Sequence, residues 1–245
     1  DQEVVAQTLA KYDLVAIPVT DKEGRLVGIV TVDDAIDVLQ EEVTEDIEKM
    51  AAILPSEEPY LKTSVFDTWK ARIPWLLLLM VSATFTGMII TGFEDALAAQ
   101  VALSAFIPML MDTGGNSGSQ ASVTIIRGIS LDEIEFRDIF TVLWKEFRVS
   151  ILCGVTLSAV SFLKILFVDG MLLGNSSITA MVALVVAFTL LFTVVCAKLV
   201  GAVLPMLAKK IGFDPAVMAS PFITTIVDAI SLLIYFQVAR MVLHI

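Results

Sequence analysis

One apolar stretch near the C-terminus decides the class of this protein: residues 216–242 read AVMASPFITTIVDAISLLIYFQVARMV. About 20 consecutive apolar residues suffice for a helix to cross a bilayer. Asp228 lies near the middle, and the only other charge is Arg240 near the far end. A mid-membrane carboxylate costs roughly 2.5–3.5 kcal/mol and usually faces a water-filled path. We interpret Asp228 as a cation-handling residue; the alternative is a protonated or hydrogen-bonded carboxyl group between helices.

Composition divides the chain into two parts. Of its 245 residues, 57% are hydrophobic, and the mean hydropathy is +0.84. Residues 1–73 carry 16 acidic and 7 basic side chains, whereas residues 74–245 carry 11 and 9. We infer an acidic soluble segment followed by a membrane domain. The net charge of −11 argues against nucleic acid as a partner, and a start at Asp1 without a signal-peptide pattern indicates a fragment.

Apolar segments predict five membrane-spanning helices. Their approximate bounds are 74–92, 96–126, 149–168, 178–207 and 216–243. Before them, residues 60–72 predict a short amphipathic juxtamembrane helix. The domains are therefore an acidic domain at 1–54, a linker at 55–73 and a membrane domain at 74–245. Lys164, near the end of the third span, is expected to snorkel or to pair with Asp169.

Basic residues predict the orientation in the cell membrane. Loops 127–148 and 208–215 contain Lys and Arg, whereas loops 92–95 and 169–177 contain neither. Basic loops stay in the cytoplasm. We therefore expect the N-terminal segment to be cytoplasmic and the C-terminus to be outside.

The second span contains a polar, glycine-rich motif, residues 112–120, which read DTGGNSGSQ. Backbone groups cannot stay unpaired in lipid, so we expect a broken helix that lines a wet cavity. Small polar side chains and freed carbonyls can replace the water around an ion. The candidate ligands here are Asp112, Gly115, Asn116 and Ser119. Close helix packing, which also favours Gly and Ser, is the alternative.

The fifth span carries hydroxyl groups on the same helix face as the carboxylate. Ser220, Thr224 and Asp228 are spaced by four residues. Hard cations such as Mg²⁺ and Ca²⁺ take oxygen ligands of this kind. The chain has two Cys and one His, which disfavours a Zn or Cu site and a Cys/His catalytic centre. We predict that the protein is not an enzyme.

The N-terminal segment predicts two strands, at 14–19 and 26–30, followed by a helix from about Thr31. Positions 33–48 of that helix contain eight acids and no basic residue. Like charges four residues apart destabilise a helix by roughly 0.2–0.5 kcal/mol per pair. A bound divalent cation would relieve this repulsion, but a solvated helix face explains the charges equally well.

These motifs together resemble the MgtE family of magnesium channels. The resemblance rests on residues 107–120, 214–216 and 221–228, and the front end at 17–34 resembles the latter part of a CBS domain. It implies a mainly α fold: five transmembrane helices per subunit, preceded by a partial CBS (α+β) domain and a juxtamembrane helix. It also implies a homodimer in which the second and fifth spans surround the ion path. Asp228 then matches the pore aspartate that holds hydrated Mg²⁺, with a carbonyl from Thr224.

The resemblance also implies regulation by cytosolic Mg²⁺, which closes the channel. The matching positions are Asp34, Asp37, Glu42, Glu45 and Asp46. Thr31 and Asp34 fit a nucleotide-contacting pattern, so ATP is a second expected ligand. Ser119 and Ser220 stand where familiar members have Asn, and Mn²⁺ and Co²⁺ are further candidate ions.

Two rival functions are compatible with the same residues. An ion-coupled secondary transporter of divalent cations also uses a midplane acid within interrupted helices. A non-transporting membrane sensor would use the CBS segment alone. Unitary currents would distinguish a channel from a carrier.

Overall fold

The computed structural model describes residues 2–56, 58–175 and 177–244. Its strands and longer helices are α1 Gln2–Lys11, β1 Ala16–Thr20, β2 Leu26–Thr31, α2 Val32–Met50, α3 Val65–Gly92, α4 Glu94–Ala99, α5 Ile107–Ser130, α6 Ile139–Lys164, α7 Ala180–Lys210 and α8 Ser220–Leu243. Short 3-10 helices at Val101–Phe106, Phe136–Asp138 and Pro215–Met218 precede α5, α6 and α8, and a π-helical segment, Ile165–Leu172, follows α6. The prediction of a mainly α fold is confirmed.

The chain forms two compact units. The first contains the residues up to Lys49 together with Ile53–Ala71, and the second contains Met50–Ala52 and Arg72–Ile245. The helix α3 therefore begins in the first unit and ends in the second. The sequence predicts a separate juxtamembrane helix at 60–72 before the first span. In the structure one continuous helix, α3, stands in place of the two predicted ones. It begins at Val65 and contains Pro74 in its interior.

The first unit is a small α+β structure. Its strands pair antiparallel, with Ile17 opposite Val30. A turn joins them, in which Asp21 accepts hydrogen bonds from the Arg25 backbone N–H at 2.9 Å and from Arg25 Nε at 2.8 Å. These bonds to Arg25 hold the pKa of Asp21 below its ordinary value. The core is limited to Ala6, Leu9 and Ala35 with the apolar side chains around them.

The second unit is a helical bundle centred on α7. Its main core contains fully buried residues of α7 and α8, including Val186, Leu232 and Phe236. Helices α5, α6 and α8 all pack against α7. Near one end, Lys164 Nζ contacts the Asp169 carboxylate oxygens at 2.9 and 2.7 Å, which confirms the expected pairing. Ser158 Oγ on α6 donates to the Ala187 carbonyl on α7 at 2.7 Å.

Four helical segments are long and apolar enough to cross a membrane. Among the described residues these are Val65–Gly92, Phe136–Leu172, Ala180–Lys210 and Pro215–Leu243. The helix α5 is the remaining long helix of the bundle, but its polar motif keeps it outside this group. The length and composition of the helices therefore support four of the five predicted spans.

The prediction of a broken helix at residues 112–120 is wrong. This motif lies inside α5, which is continuous from Ile107 to Ser130. The interruption lies earlier, where α4 and the short helix Val101–Phe106 precede α5. The glycines do not break α5 because neighbouring helices pack directly against them, as described below. Close helix packing, the alternative interpretation of the motif, is therefore what the structure contains.

Candidate functional site

The glycines of the motif bring α5 into close contact with α7 and α8. A Cβ added to Gly114 would lie 2.7 Å from Thr193 Cγ2 and 2.9 Å from Ser231 Oγ. A Cβ on Gly115 would lie 2.9 Å from Thr224 Cγ2. Real Cβ atoms do not approach so closely, so a larger residue at either position would displace a neighbour. Gly115, predicted as an ion ligand, packs closely against Thr224; its role as a ligand stays a prediction.

These contacts also set the relative direction and level of α5 and α8. Gly114 meets Val227 and Ser231, whereas Gly118, one turn further along α5, meets Ile223. The two helices therefore run antiparallel. Asp112, half a turn before Gly114, therefore lies near the crossing of α5 with α8.

The two aspartates form the acidic centre of this crossing. Asp228 is half-buried on α8 and Asp112 is exposed on α5. The carboxylate of Asp112 is close enough to act electrostatically on that of Asp228. Within the described part of the chain, neither carboxylate has a hydrogen-bonding or basic partner. A carboxylate within a spanning helix, such as Asp228 on α8, is costly without a counter-charge, and a mobile cation would supply one.

Polar residues continue from Asp112 along the exposed face of α5. Asn116 and Gln120 follow at four-residue intervals and are also exposed, while Ser119 is partly buried beside them. Helical residues four apart share one face, so these side chains form a continuous stripe. We call Asp112, Asn116, Ser119 and Gln120 the polar stripe. Sequence analysis did not select Gln120 as a ligand, although its spacing from Asn116 was a sufficient signal.

Hydroxyl groups at the start of α8 are engaged locally. Thr224 Oγ1 and Thr225 Oγ1 both donate to the Pro221 carbonyl, at 3.0 and 3.1 Å. The hydroxyl hydrogen of Thr224 is therefore engaged within the helix, and its backbone carbonyl is the group that agrees with the predicted ion contact. The side chain of Ser220, the remaining predicted pore ligand, lies outside the described residues.

The first unit has an acidic cleft on α2. The cleft has a volume of about 790 Å³, and its acidic lining residues are Asp37, Glu41, Glu42, Glu45, Glu48 and Glu58. Among the described residues no Lys or Arg lines it. Of the five predicted regulatory residues, the structure thus brings Asp37, Glu42 and Glu45 together. Glu41, Glu48 and Glu58 were not selected from the sequence as regulatory residues. Glu58 in particular reaches the cleft only through the chain reversal after α2.

The other predicted regulatory residues lie outside this lining. Asp34 Oδ2 accepts a hydrogen bond from Thr31 Oγ1 at 2.8 Å, so the two predicted nucleotide contacts bind each other. Asp46 also lies on α2. Glu45, which does line the cleft, forms an ion pair with Lys49. Across residues 2–56, 58–175 and 177–244, no three His, Cys, Asp or Glu side chains are close enough to enclose a metal ion. One chain therefore offers acidic surfaces suited to hydrated ions rather than a closed metal cage.

Comparison with known proteins agrees with this architecture. The family model MgtE, described as a divalent cation transporter, matches residues 107–238, and the CBS domain model matches residues 2–41. The chain belongs to the MgtE family. It is a multi-pass membrane protein with a CBS-type N-terminal segment. Since the members of this family are transporters and not enzymes, the prediction that the chain is not an enzyme is confirmed.

Three curated relatives are each called "Magnesium transporter MgtE". The chain is 42% identical to the relative from Thermus thermophilus over 244 residues, and 39% identical to the one from Bacillus subtilis over 245 residues. It is 35% identical to the relative from Enterococcus faecalis over 241 residues. The alignments cover 98–100% of this chain but 51–52% of the relatives. The chain thus spans about half the length of the curated relatives it matches.

Proposed function

We propose that this chain forms the ion path of a Mg²⁺ channel that mediates magnesium uptake and is closed by cytosolic Mg²⁺. The observation that carries the proposal is the polar stripe of α5 beside the unpartnered Asp228 of α8. A surface of this kind is out of place against lipid, where polar groups need partners. It is suited to a water-filled path.

A second copy of the chain would complete this path. Mg²⁺ surrenders its water reluctantly and keeps several waters when bound. Two symmetry-related Asp228 carboxylates could therefore hold a hydrated ion through its water ligands. The polar stripes of two α5 helices would continue the path above and below this position. The contributing residues are Asp112, Gly115, Asn116, Ser119, Ser220, Thr224 and Asp228.

The acidic cleft of α2 supports the regulatory part of the proposal. With its end of the chain in the cytoplasm, the cleft would be exposed to internal Mg²⁺. Bound ions would offset the repulsion among its acids and favour the form in which those acids are close together. Because α3 is continuous from Val65 to Gly92, a shift at its start would be transmitted into the bundle. Thr31 and Asp34 are the proposed contacts for ATP.

Mg²⁺ uptake into proteoliposomes with low internal Mg²⁺ tests the transport proposal. We expect Asp228→Ala to reduce uptake by at least about tenfold, since an intramembrane cation loses a counter-charge worth more than 1.4 kcal/mol. Asp228→Asn, which keeps the shape but removes the charge, should be equally impaired. Asp169→Asn is the matched control, because Asp169 is paired with Lys164 at the end of the bundle.

Uptake that persists in both Asp228 variants would contradict the proposed ion path. Single-channel recording of the intact chain addresses the mechanism. Unitary currents carried by Mg²⁺ are the expected result. Uptake that requires a proton gradient, without unitary currents, would instead establish coupled secondary transport.

A further inference from the structure

Six of the nine Lys and Arg side chains of residues 74–245 cluster at one end of the bundle, at the end of α5, the beginning of α6 and the end of α7. They are Arg127, Arg137, Lys145, Arg148, Lys209 and Lys210. In the described part of the chain, Arg137 has a carboxylate partner, Glu135, with Nε and Oε2 3.1 Å apart. The other five cations form no ion pair there. The loop between α5 and α6 also carries four acids, Asp132, Glu133, Glu135 and Asp138, but none of them is paired with Lys145 or Arg148 in the described residues.

The first turns of α6 combine two of these cations with exposed aromatic rings. Phe140 is 83% exposed and Trp144 is 59% exposed, and Lys145 and Arg148 are exposed beside them. The guanidinium carbon of Arg148 lies 5.7 Å from the centroid of the Trp144 ring, and Arg148 Nε donates to the Trp144 carbonyl at 3.3 Å. The stack orients the guanidinium group without neutralising its charge.

The position of this face along α6 indicates what it contacts. The helix belongs to a segment that can span a membrane, Phe136–Leu172, and Trp144 and Arg148 lie near its beginning. Tryptophan concentrates at the boundary between hydrocarbon and water, where phospholipid phosphates are also found. Of the acids nearest these turns, Glu146 is buried and Asp138 precedes the helix as its N-cap, so Lys145 and Arg148 are the exposed charges of the first turns of α6.

We propose that Lys145 and Arg148 bind the phosphate group of an anionic phospholipid, with Phe140 and Trp144 beside its glycerol and upper acyl chain. Arginine suits phosphate because its planar fork can donate two parallel hydrogen bonds. Clusters of Lys and Arg next to a spanning helix attract anionic lipids. The bound lipid supplies the counter-charge that the chain itself lacks at this face.

A neighbouring pocket is a poorer candidate for the same lipid. It has a volume of about 310 Å³, and Lys209 lines it together with Asp132 and Glu135. Lys209 Nζ already donates to the Ile129 carbonyl at 3.4 Å, and Lys210 Nζ lies 3.9 Å from the centroid of the Phe136 ring. The two carboxylates would repel a phosphate, so the face on α6 is the preferred site.

The native Trp144 provides a direct test. Of the three tryptophans, Trp69 and Trp75 are replaced by Phe, so that the fluorescence of the full-length chain reports on Trp144 alone. The protein is reconstituted with dibrominated phosphatidylglycerol or with dibrominated phosphatidylcholine, and quenching by each lipid is compared. We expect phosphatidylglycerol to be preferred at Trp144 by about fivefold or more, given the attraction of basic side chains to anionic lipid.

The preference for phosphatidylglycerol should disappear in the double variant Lys145→Gln/Arg148→Gln. It should largely persist in the single variant Arg148→Lys, which keeps the charge at this position. Lys164→Gln is the control, since Lys164 lies at the other end of the same helix. If the double variant fails to fold, the protein with Lys145 and Arg148 intact is measured in salt instead. There, 1 M NaCl should reduce the preference for phosphatidylglycerol by screening the charges. Equal quenching by both lipids, or a preference indifferent to salt and to the double substitution, would overturn the proposal.

Discussion

At the scale of single residues, the tightest constraint lies where α5 crosses α7. A Cβ on Gly201 of α7 would overlap the Gly118 carbonyl oxygen and would lie 3.0 Å from the Gly118 carbonyl carbon. The obstacle is backbone, which cannot rotate away as a flexible side chain can. Gly118 in turn would bring a Cβ within 2.8 Å of Ile223 Cγ2 on α8. Two glycines thus allow three helices to meet at the level of the polar stripe.

We therefore predict that Gly201→Ala destabilises the protein by about 1–3 kcal/mol, the usual cost of overpacking. Gly87→Ala is the matched control, because Gly87 is also helical but has nothing within 4 Å of the added Cβ. That substitution should be neutral or stabilising by up to about 1 kcal/mol, since Ala favours helices. Thermal unfolding in detergent measures both. An equal response of the two variants would contradict close packing at Gly201.

At the scale of elements, α2 has two faces that the first unit leaves largely exposed. One face lines the acidic cleft. The other carries an apolar stripe, visible in the sequence as residues 36, 39, 43, 47 and 50, yet Ile36 and Ile47 are each 58% exposed and Val43 is 46% exposed. The pattern correctly indicated a helix, but a pattern cannot say which surface covers it. Exposed apolar stripes of this kind mark contact surfaces.

The cleft leads to a prediction about inhibition by internal Mg²⁺. Asp37→Asn/Glu45→Gln removes two of its carboxylates and should raise the half-inhibitory Mg²⁺ concentration by at least about tenfold, since charged ligands contribute roughly 1.5–3 kcal/mol each. Flux measured against internal Mg²⁺ checks this. Glu23→Gln, in the β1–β2 turn and paired with Arg25, should leave inhibition unchanged. Unaltered inhibition in the double variant would exclude the cleft as the sensor.

At the scale of the whole molecule, the proposed ion path requires a second copy of the chain. The stripe lies on the exposed face of α5, while the glycine face of the same helix is buried against α7 and α8. A single chain therefore packs the small residues inward and leaves its polar residues outward. In a membrane, polar residues on an outer face would meet lipid. Two such faces opposed across a water-filled path would keep these residues in water. The arrangement is isologous, as expected for a two-fold dimer.

Cross-linking in membranes tests this dimer. In a background with Cys153 and Cys196 replaced by Ser, Asn116→Cys should give a covalent dimer with a short bismaleimide, because residue 116 faces its counterpart across the path. Leu152→Cys, on an exposed apolar face of α6, should stay monomeric under the same conditions. Dimers from Leu152→Cys alone would place the interface elsewhere and contradict the proposed path.

The sequence alone determined the membrane class, the spans now seen in α3, α6, α7 and α8 and the partial CBS segment, because hydropathy, charge and residue spacing are local properties. The role of Asp228 in the ion path stays a prediction. It misjudged the polar motif, since glycine and polar residues signal both a broken helix and a tightly packed one. Only the tertiary structure decided between these, through the neighbours of Gly114, Gly118 and Gly201. It alone also brought Asp112 near Asp228 and Glu58 to the cleft, because contacts between distant segments depend on how the helices pack.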